Sequence, residues 1–382
     1  MIYLDNSAGT RPYPEVIETI TDVLINHWGN ASADNSFGKD AMAIIDQVTN
    51  QVANDINCKP NEIIWTSGAC EANSLAIIGV MNANPDPDMI LCTSQLEHTS
   101  LNEAFEDAPS YVRYVLSNDH DGKIKLDKLE EICREIMNRW HSQPFISVSF
   151  ANSEIGVIQD IKAISNIVHK YCGLIHVDAT QMYPWYQIDV KDLGIDLMSV
   201  SGQKLNCVKG VGFLYVRSSI EICPIIYGSQ QDGRRGGTYP THLISAFGKA
   251  LELNRKYNNS GSVKMLRDHL LSQLLLIDGT MLNGPGADSM RLPNNISLTI
   301  NGVKAEALTT MCDLMGIIIA KGSACKSHES KPSKSLLAIG LTEEQALNTI
   351  RISLDSFNSL SDVNTAANII TALVERIRGE NE

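Results

Sequence analysis

Between residues 62 and 216 the chain alternates short, continuously apolar runs with stretches of helical spacing. The runs cover 62–66, 89–93, 111–116, 145–150, 174–178, 197–201 and 211–216. Strands that are apolar on successive residues need cover on both faces, which predicts an α/β domain built on a mainly parallel sheet. In such sheets ligands bind beyond the carboxyl ends of the strands. Polar residues stand at those ends again and again: Ser67, His98, Asn152, Asp178 and Lys204. Turn chemistry accounts for any one of them; five in succession point to a site.

The helical spacing covers 12–25, 40–56 and 161–171, and another helix follows the turn at 67–70. Asp127, with Glu130 three residues on, reads as the N-cap of a further helix. A helix over 251–257 leaves this domain, 263–276 forms another, and 293–300 opens a second, small α/β unit closed by a helix over 363–377. The expected division is 13–255 for the large domain, with 1–12 and 256–382 forming the small one.

Composition excludes several classes. The net charge is −13 over 382 residues, which argues against strong direct binding of a nucleic-acid backbone. No leader-like segment opens the chain, and no apolar run reaches membrane-spanning length, so no direct membrane role is expected. Nine cysteines lie scattered without a Cys-x-x-Cys pair. That pattern fits a reducing cytoplasm and core thiols with room for a functional one, and it expects no metal site.

A lysine just after a buried strand places an amine in a dry pocket, where its pKa falls and it becomes a nucleophile able to form a Schiff base. The same position also suits a turn lysine reaching water. A carboxylate at the end of a buried strand needs a cationic or hydrogen-bonding partner, although Asp178 also suits a helix cap. The turn Ser67-Gly68-Ala69-Cys70 can present free helix N–H groups to a phosphate or serve as a plain connection. An Asp for a pyridinium nitrogen and a lysine for a Schiff base are the two marks of a pyridoxal phosphate site, and Asp178 and Lys204 lie on consecutive predicted strands.

The ordered set Tyr3-Leu4-Asp5, Thr66-Ser67-Gly68-Ala69, Glu97-His98, Glu154-Ile155-Gly156, His176-Val177-Asp178-Ala179-Thr180-Gln181, Ser201-Gly202-Gln203-Lys204, Arg235-Gly236-Gly237-Thr238, Gly322-Ser323-Ala324-Cys325 and Ile350-Arg351-Ile352-Ser353 resembles the cysteine desulfurases of the class V aminotransferase group. The resemblance runs over nearly the whole chain. It implies the fold type I architecture of pyridoxal 5'-phosphate-dependent transferases and a homodimer. By resemblance, Lys204 would carry the cofactor and move the substrate α-proton. Asp178 would hold the pyridinium, Gln181 the ring oxygen, and His98 would stack on the ring and donate a proton. Ala69, Cys70, Ser201 and Gln203 would bind the phosphate, and Thr238 would reach the phosphate of the neighbouring subunit. Arg351 would fork onto the substrate carboxylate, with Asn152 and Ser153 contacting ring oxygen or substrate. Cys325, in small and polar surroundings between Lys321 and Lys326, would take sulfur from L-cysteine as a persulfide, release L-alanine and pass the sulfur to an acceptor protein. Its segment resembles the family's mobile-loop type.

Four places depart from the pattern: Gln203 for the usual His, Ser153 for Asn, Cys70 for Thr, and Leu354-Asp355-Ser356-Phe357 after Arg351. The chain also stops soon after its last helix, unlike members whose longer tail docks an iron–sulfur scaffold. These departures tilt the expected sulfur destination toward nucleic-acid modification such as DNA phosphorothioation. Selenocysteine lyase or a related pyridoxal lyase is the alternative within the fold. A sulfur-relay or scaffold protein of low activity is the alternative outside catalysis.

Overall fold

In the computed structural model, residues 1–84, 89–110, 112–257, 259–287, 290–322 and 332–379 are described. The chain opens with β1 (Ile2–Tyr3), α1 (Pro14–Asn26) and α2 (Ser36–Asp55). Then follow β2 (Ile63–Thr66), α3 (Ala69–Ala83), β3 (Met89–Ser94), α4 (Thr99–Asp107), β4 (Arg113–Leu116) and α5 (Leu126–Glu135). Next come β5 (Gln143–Ser149), α6 (Ile161–Lys170), β6 (Leu174–Asp178), β7 (Leu197–Ser201), β8 (Gly212–Val216), α7 (Thr241–Tyr257) and α8 (Ser260–Leu274). The last part holds β9 (Thr280–Leu282), β10 (Asn295–Ile300), α9 (Ala305–Leu314), β11 (Ile317–Ile318), β12 (Ala320–Lys321), α10 (Lys334–Ala338), α11 (Glu343–Leu347), β13 (Thr349–Ser353) and α12 (Leu360–Gly379).

Seven strands form one sheet in the order β2-β8-β7-β6-β5-β3-β4. β8 runs antiparallel to both of its neighbours, and the pairings among β7, β6, β5, β3 and β4 are parallel. β2 therefore points the same way as these strands, and the residues after β2, β3, β5, β6 and β7 gather along one sheet edge. Both faces are covered, as the continuous apolar runs require. One face meets α1, α2 and α7 around the crossed rings of Trp65, Phe213 and Phe247. The other packs on α3 and α4 through residues such as Leu75, Ile77, Leu101 and Phe145.

The second unit is a four-stranded antiparallel sheet, β12-β13-β10-β9, backed by α8, α9 and α12. The N-terminal segment belongs to it first: β1 pairs with β11, and Leu4 is fully buried in its core. The segment then crosses to the large sheet, where the Tyr13 amide donates to the Asn206 carbonyl (3.1 Å).

Two expectations need correction. Asp127 is not the N-cap of α5; that residue is Lys125, with extended backbone and no side-chain cap. The Lys125 amide donates to the Ser117 carbonyl (3.0 Å), which keeps the chain extended until Leu126. Asp127 falls in the first turn, where its charge still favours the helix dipole. And α7 begins at Thr241, ten residues before the expected start near 251. Its first half is buried against α1 and α2, so packing, rather than the polar periodicity of its end, sets its length.

Gly248 lies inside α7 at that contact, where a Cβ would come within 2.7 Å of Val48 Cγ2. In an open helix Gly→Ala stabilises by about 1 kcal/mol. Here Gly248→Ala is expected to destabilise by about 1–3 kcal/mol through overpacking, seen as a lower thermal midpoint.

Candidate active site

Lys204 ends a short 3-10 turn, Gly202–Lys204, that follows the fully buried β7. The turn is held from both sequence directions. Thr10 donates its amide (3.1 Å) and its hydroxyl (2.9 Å) to the Gln203 carbonyl. Asn206, in the left-handed region (φ +54°), donates to Asp355 Oδ2 (2.6 Å). The half-buried Lys204 Nζ donates to the Ala8 carbonyl (2.6 Å). Burial, joined by the Arg351 charge and opposed by Asp5 and Asp178, pulls the amine down to about 8. An amine at this level keeps a minor but appreciable neutral, nucleophilic fraction near physiological pH, far more than an ordinary lysine.

Asp178 ends the neighbouring β6 and is buried. Its Oδ2 accepts from Asn73 Nδ2 (2.8 Å) and its Oδ1 from the Thr180 amide (2.9 Å). Asn73, fully buried on α3, also reaches Ser100 Oγ (3.0 Å), which meets His98 Nδ1 at 2.8 Å. A continuous polar chain thus runs from the carboxylate to the exposed imidazole. His98 itself caps α4, its Nδ1 accepting the Ser100 amide (3.1 Å). Behind Asp178, His176 bridges the hydroxyls of Ser147 and Ser199, and burial pushes its pKa well below the ordinary range. It is a neutral core histidine. Glu97 is buried too, accepting from Ser94 and from the Ser149 amide and hydroxyl, and burial raises it to about 7. Gln181 Nε2 donates to the Ser7 carbonyl (3.2 Å).

Ala69 and Cys70 open α3, so their N–H groups belong to the helix turn that lacks internal partners. Gly68 precedes them at φ +146°, and a Cβ on it would stand 3.5 Å from Ser201 Oγ. Gly212 presses against this turn; a Cβ there would meet Val200 O at 2.4 Å and Gly68 Cα at 2.8 Å. The result is a small cradle of amides and a hydroxyl on bare backbone. Gln203 lies half-buried beside it and Cys70 is exposed. Arg235 forks onto Glu71 (2.7 and 3.1 Å) in the first turn of α3. Burial raises the Glu71 pKa, but the bonds from Arg235 and Ser67 outweigh it and bring the carboxyl below its usual range. That pair fixes the loop leading to Thr238, which is exposed and lines a cavity of about 200 Å³ with Trp28 and His242.

Arg351 comes from β13 of the other unit. Its Nη2 donates to Asp5 Oδ1 (2.7 Å), and its buried Nε has no partner among the described residues. Asn152 spends most of its side chain on its own turn: Oδ1 accepts the amides of Glu154 and Ile155, and Nδ2 donates to the Leu96 carbonyl. One amide hydrogen remains for any other contact. Ser153 is half-buried and its carbonyl accepts from Asn295 Nδ2 (3.2 Å). Cys325 lies outside the described residues.

The donor set fits pyridoxal phosphate: an amide cradle for the phosphate, an amine shifted toward neutrality, and an acceptor-only carboxylate at the adjacent strand end. The hydroxyl of Thr180, two residues from that carboxylate, is buried without a partner among the described residues. Sequence reasoning did not single out Asn73, Asp5, Glu97 or Glu154. Asp5, Glu97 and Glu154 stood inside quoted motifs, whereas Asn73 is marked only by partners distant in the chain. No cluster of His, Cys, Asp and Glu that could hold a metal occurs among the described residues.

The chain matches the family described as "Aminotransferase class-V" over residues 2–365. It is 34% identical over 384 residues to "Cysteine desulfurase IscS 1" of Archaeoglobus fulgidus, spanning 99% of this chain and 98% of that protein. The solved structure of a "NifS-like protein" superposes with a TM-score of 0.89 at 26% identity, covering 98% of this chain and 99% of the other. A structure described as "SspA in complex with cysteine" superposes at 0.80 with 29% identity, covering 94% of this chain and 100% of the other.

Because the Arg351 charge helps to lower Lys204, Arg351→Ala is expected to raise the Lys204 pKa from about 8 toward its ordinary 10.5. The pH dependence of pyridoxal phosphate trapping on Lys204 by borohydride reads this directly; an unmoved midpoint would contradict the electrostatic coupling.

Proposed function

The chain belongs to the aminotransferase class-V family, and within it we propose that this protein is a pyridoxal phosphate-dependent cysteine desulfurase. It converts L-cysteine to L-alanine and keeps the sulfur as a persulfide on Cys325. The observation that carries the reading is the convergence of Lys204, its amine lowered to about 8, with Asp178 on the next strand end and Arg351 from the facing unit. The cysteine desulfurase among its relatives and the cysteine in a structural neighbour support the substrate.

When bound, the cofactor withdraws electrons from the substrate α-carbon. Lys204 anchors it and, as a neutral amine, takes the α-proton. Asp178, kept acceptor-only by its two donors, holds the ring nitrogen protonated. Ala69, Cys70, Ser201 and Gln203 receive the phosphate, Gln181 the ring oxygen, and His98 the ring face. The free Nε of Arg351 turns to the substrate carboxylate, with Asn152 and Ser153 beside it. In this division, 13–255 hold the cofactor, and 1–12 with 256–382 bring Arg351 and Cys325 to it.

The protein works as a homodimer. Leu24, Ile25, Trp28 and Phe37 leave large apolar side chains exposed on α1, α2 and the loop between them, beside the cavity that Thr238 lines. Exposed apolar surface of this kind marks an interface. Sedimentation as a monomer at micromolar concentration would remove this part of the proposal.

No helix among the described residues is long and apolar enough to cross a membrane, which is consistent with work in the cytoplasm. The persulfide passes to an acceptor protein. The replacements Gln203, Ser153 and Cys70 favour an acceptor serving nucleic-acid sulfur modification, such as DNA phosphorothioation, over an iron–sulfur scaffold. Sulfur transfer from Cys325 only to iron–sulfur scaffold proteins in pull-downs would overturn that assignment.

Cys325→Ala is expected to lower alanine release from L-cysteine by about a hundredfold or more while leaving the cofactor's absorption band intact. Lys204→Ala should abolish the band. Undiminished desulfuration without Cys325 would exclude the persulfide route.

A further inference from the structure

Glu154 stands in the turn after β5, and its carboxyl crosses to the other unit. Its backbone is fixed first: the amide donates to Asn152 Oδ1 (2.8 Å), and the carbonyl accepts from Asn295 Nδ2 on β10 (3.1 Å). Its side chain is more than nine-tenths buried, at 7% exposure. Oε2 accepts from Ser333 Oγ (2.5 Å), at the N-cap of α10. Oε1 has no partner among the described residues and lies against Gly322, where a Cβ would come within 2.8 Å of it. Gly322 and Ser333 flank the segment that carries Cys325, and one carboxyl meets both. Gly322 is also tied to β13, its amide donating to the Thr349 carbonyl (3.0 Å). Leu336 and Ile339 of the α10 region close over Ile155 and Val157 next to Glu154, so the contact is dry.

We propose that Glu154 is a positioning residue for the desulfuration, joining the large unit to both flanks of the Cys325 segment in its neutral, protonated form. The inference rests on the function proposed above. A buried carboxylate this sparsely supplied with donors costs more than the neutral acid. Burial accordingly raises Glu154 to about 7 from an ordinary 4.5, against the Ser333 bond, the Arg351 charge and the Ser335 hydroxyl. Arg351 is the charged group that faces it. Since the folded pKa lies above the ordinary value, the docked arrangement is fully favoured at low pH. It weakens as pH rises through about 7, when the proton leaves. Both flanks are then held less firmly, and the step assigned to Cys325 slows.

Glu154→Gln keeps the shape and an acceptor for Ser333 but cannot ionise. In the holoenzyme, alanine release by the wild type relative to Glu154→Gln is expected to fall between pH 6 and pH 8, with a midpoint near 7. Glu154→Ala should lower kcat about tenfold, with KM for L-cysteine changed less than about twofold. A second reading uses no turnover: the rate at which iodoacetamide labels Cys325, mapped by mass spectrometry, should rise faster with pH in the wild type than in Glu154→Gln. The thiol's own titration is common to both proteins and cancels in the ratio. Parallel pH profiles for the two proteins in both measurements would overturn the inference. A wild type that makes no alanine would instead overturn the desulfurase reading. An intact cofactor absorption band in each variant shows that the variant has folded.

Discussion

The ion pair between Asp5 and Arg351 joins residues 346 positions apart, and the second half of the site depends on it. Arg351 sits mid-strand in β13, paired on one side with β10 and on the other with β12. Its backbone is rigid, and Asp5 takes one guanidinium nitrogen, leaving the buried Nε bare. Asp5 is itself fixed by the chain on either side of it. Ser353 donates its amide to the Leu4 carbonyl, and the Ser7 amide donates to Ser353 Oγ. Five residues later the same N-terminal segment clamps the Lys204 turn through Thr10. One short segment therefore sets the register between the arginine and the amine, and their like charges help hold Lys204 down.

The seam between the two units is lined by ionisable groups pressed toward their neutral forms. Lys204 falls to about 8 while Glu97 and Glu154 rise to about 7. Burial is the leading cause in each case; hydrogen bonds oppose it at the two glutamates, and at Lys204 the charges of Arg351, Asp5 and Asp178 adjust it. Asp178 is treated differently: two donors meet its two oxygens, and Asn73 extends the arrangement to Ser100 and His98. Both oxygens of that carboxylate are thereby supplied with donors. The seam thus sets groups shifted toward neutrality beside a carboxylate whose two oxygens both accept hydrogen bonds.

Strand ends were legible because burial on both faces writes itself as an unbroken apolar run, and a polar residue after such a run stands out. Lys204, Asp178 and the Gly68 turn were found this way, and β6 and β7 occupy the expected residues. The start of α7 was missed because helix-on-helix burial governs it. Asn73 was invisible for a related reason: a lone Asn in an apolar helix carries no mark of a carboxylate 105 residues away. Glu154 sat within a quoted motif, but its partner Ser333 lies 179 residues on.

By itself the sequence determined the α/β alternation and the row of polar strand ends, since both follow from local burial and local spacing. Tertiary structure decided which of those groups are neutral, which keep a charge and which meet. Desolvation and ion pairing depend on the distance between chain segments that only folding brings together, and Arg351 beside Asp5, Asn73 beneath Asp178 and Glu154 across the seam exist only through that convergence.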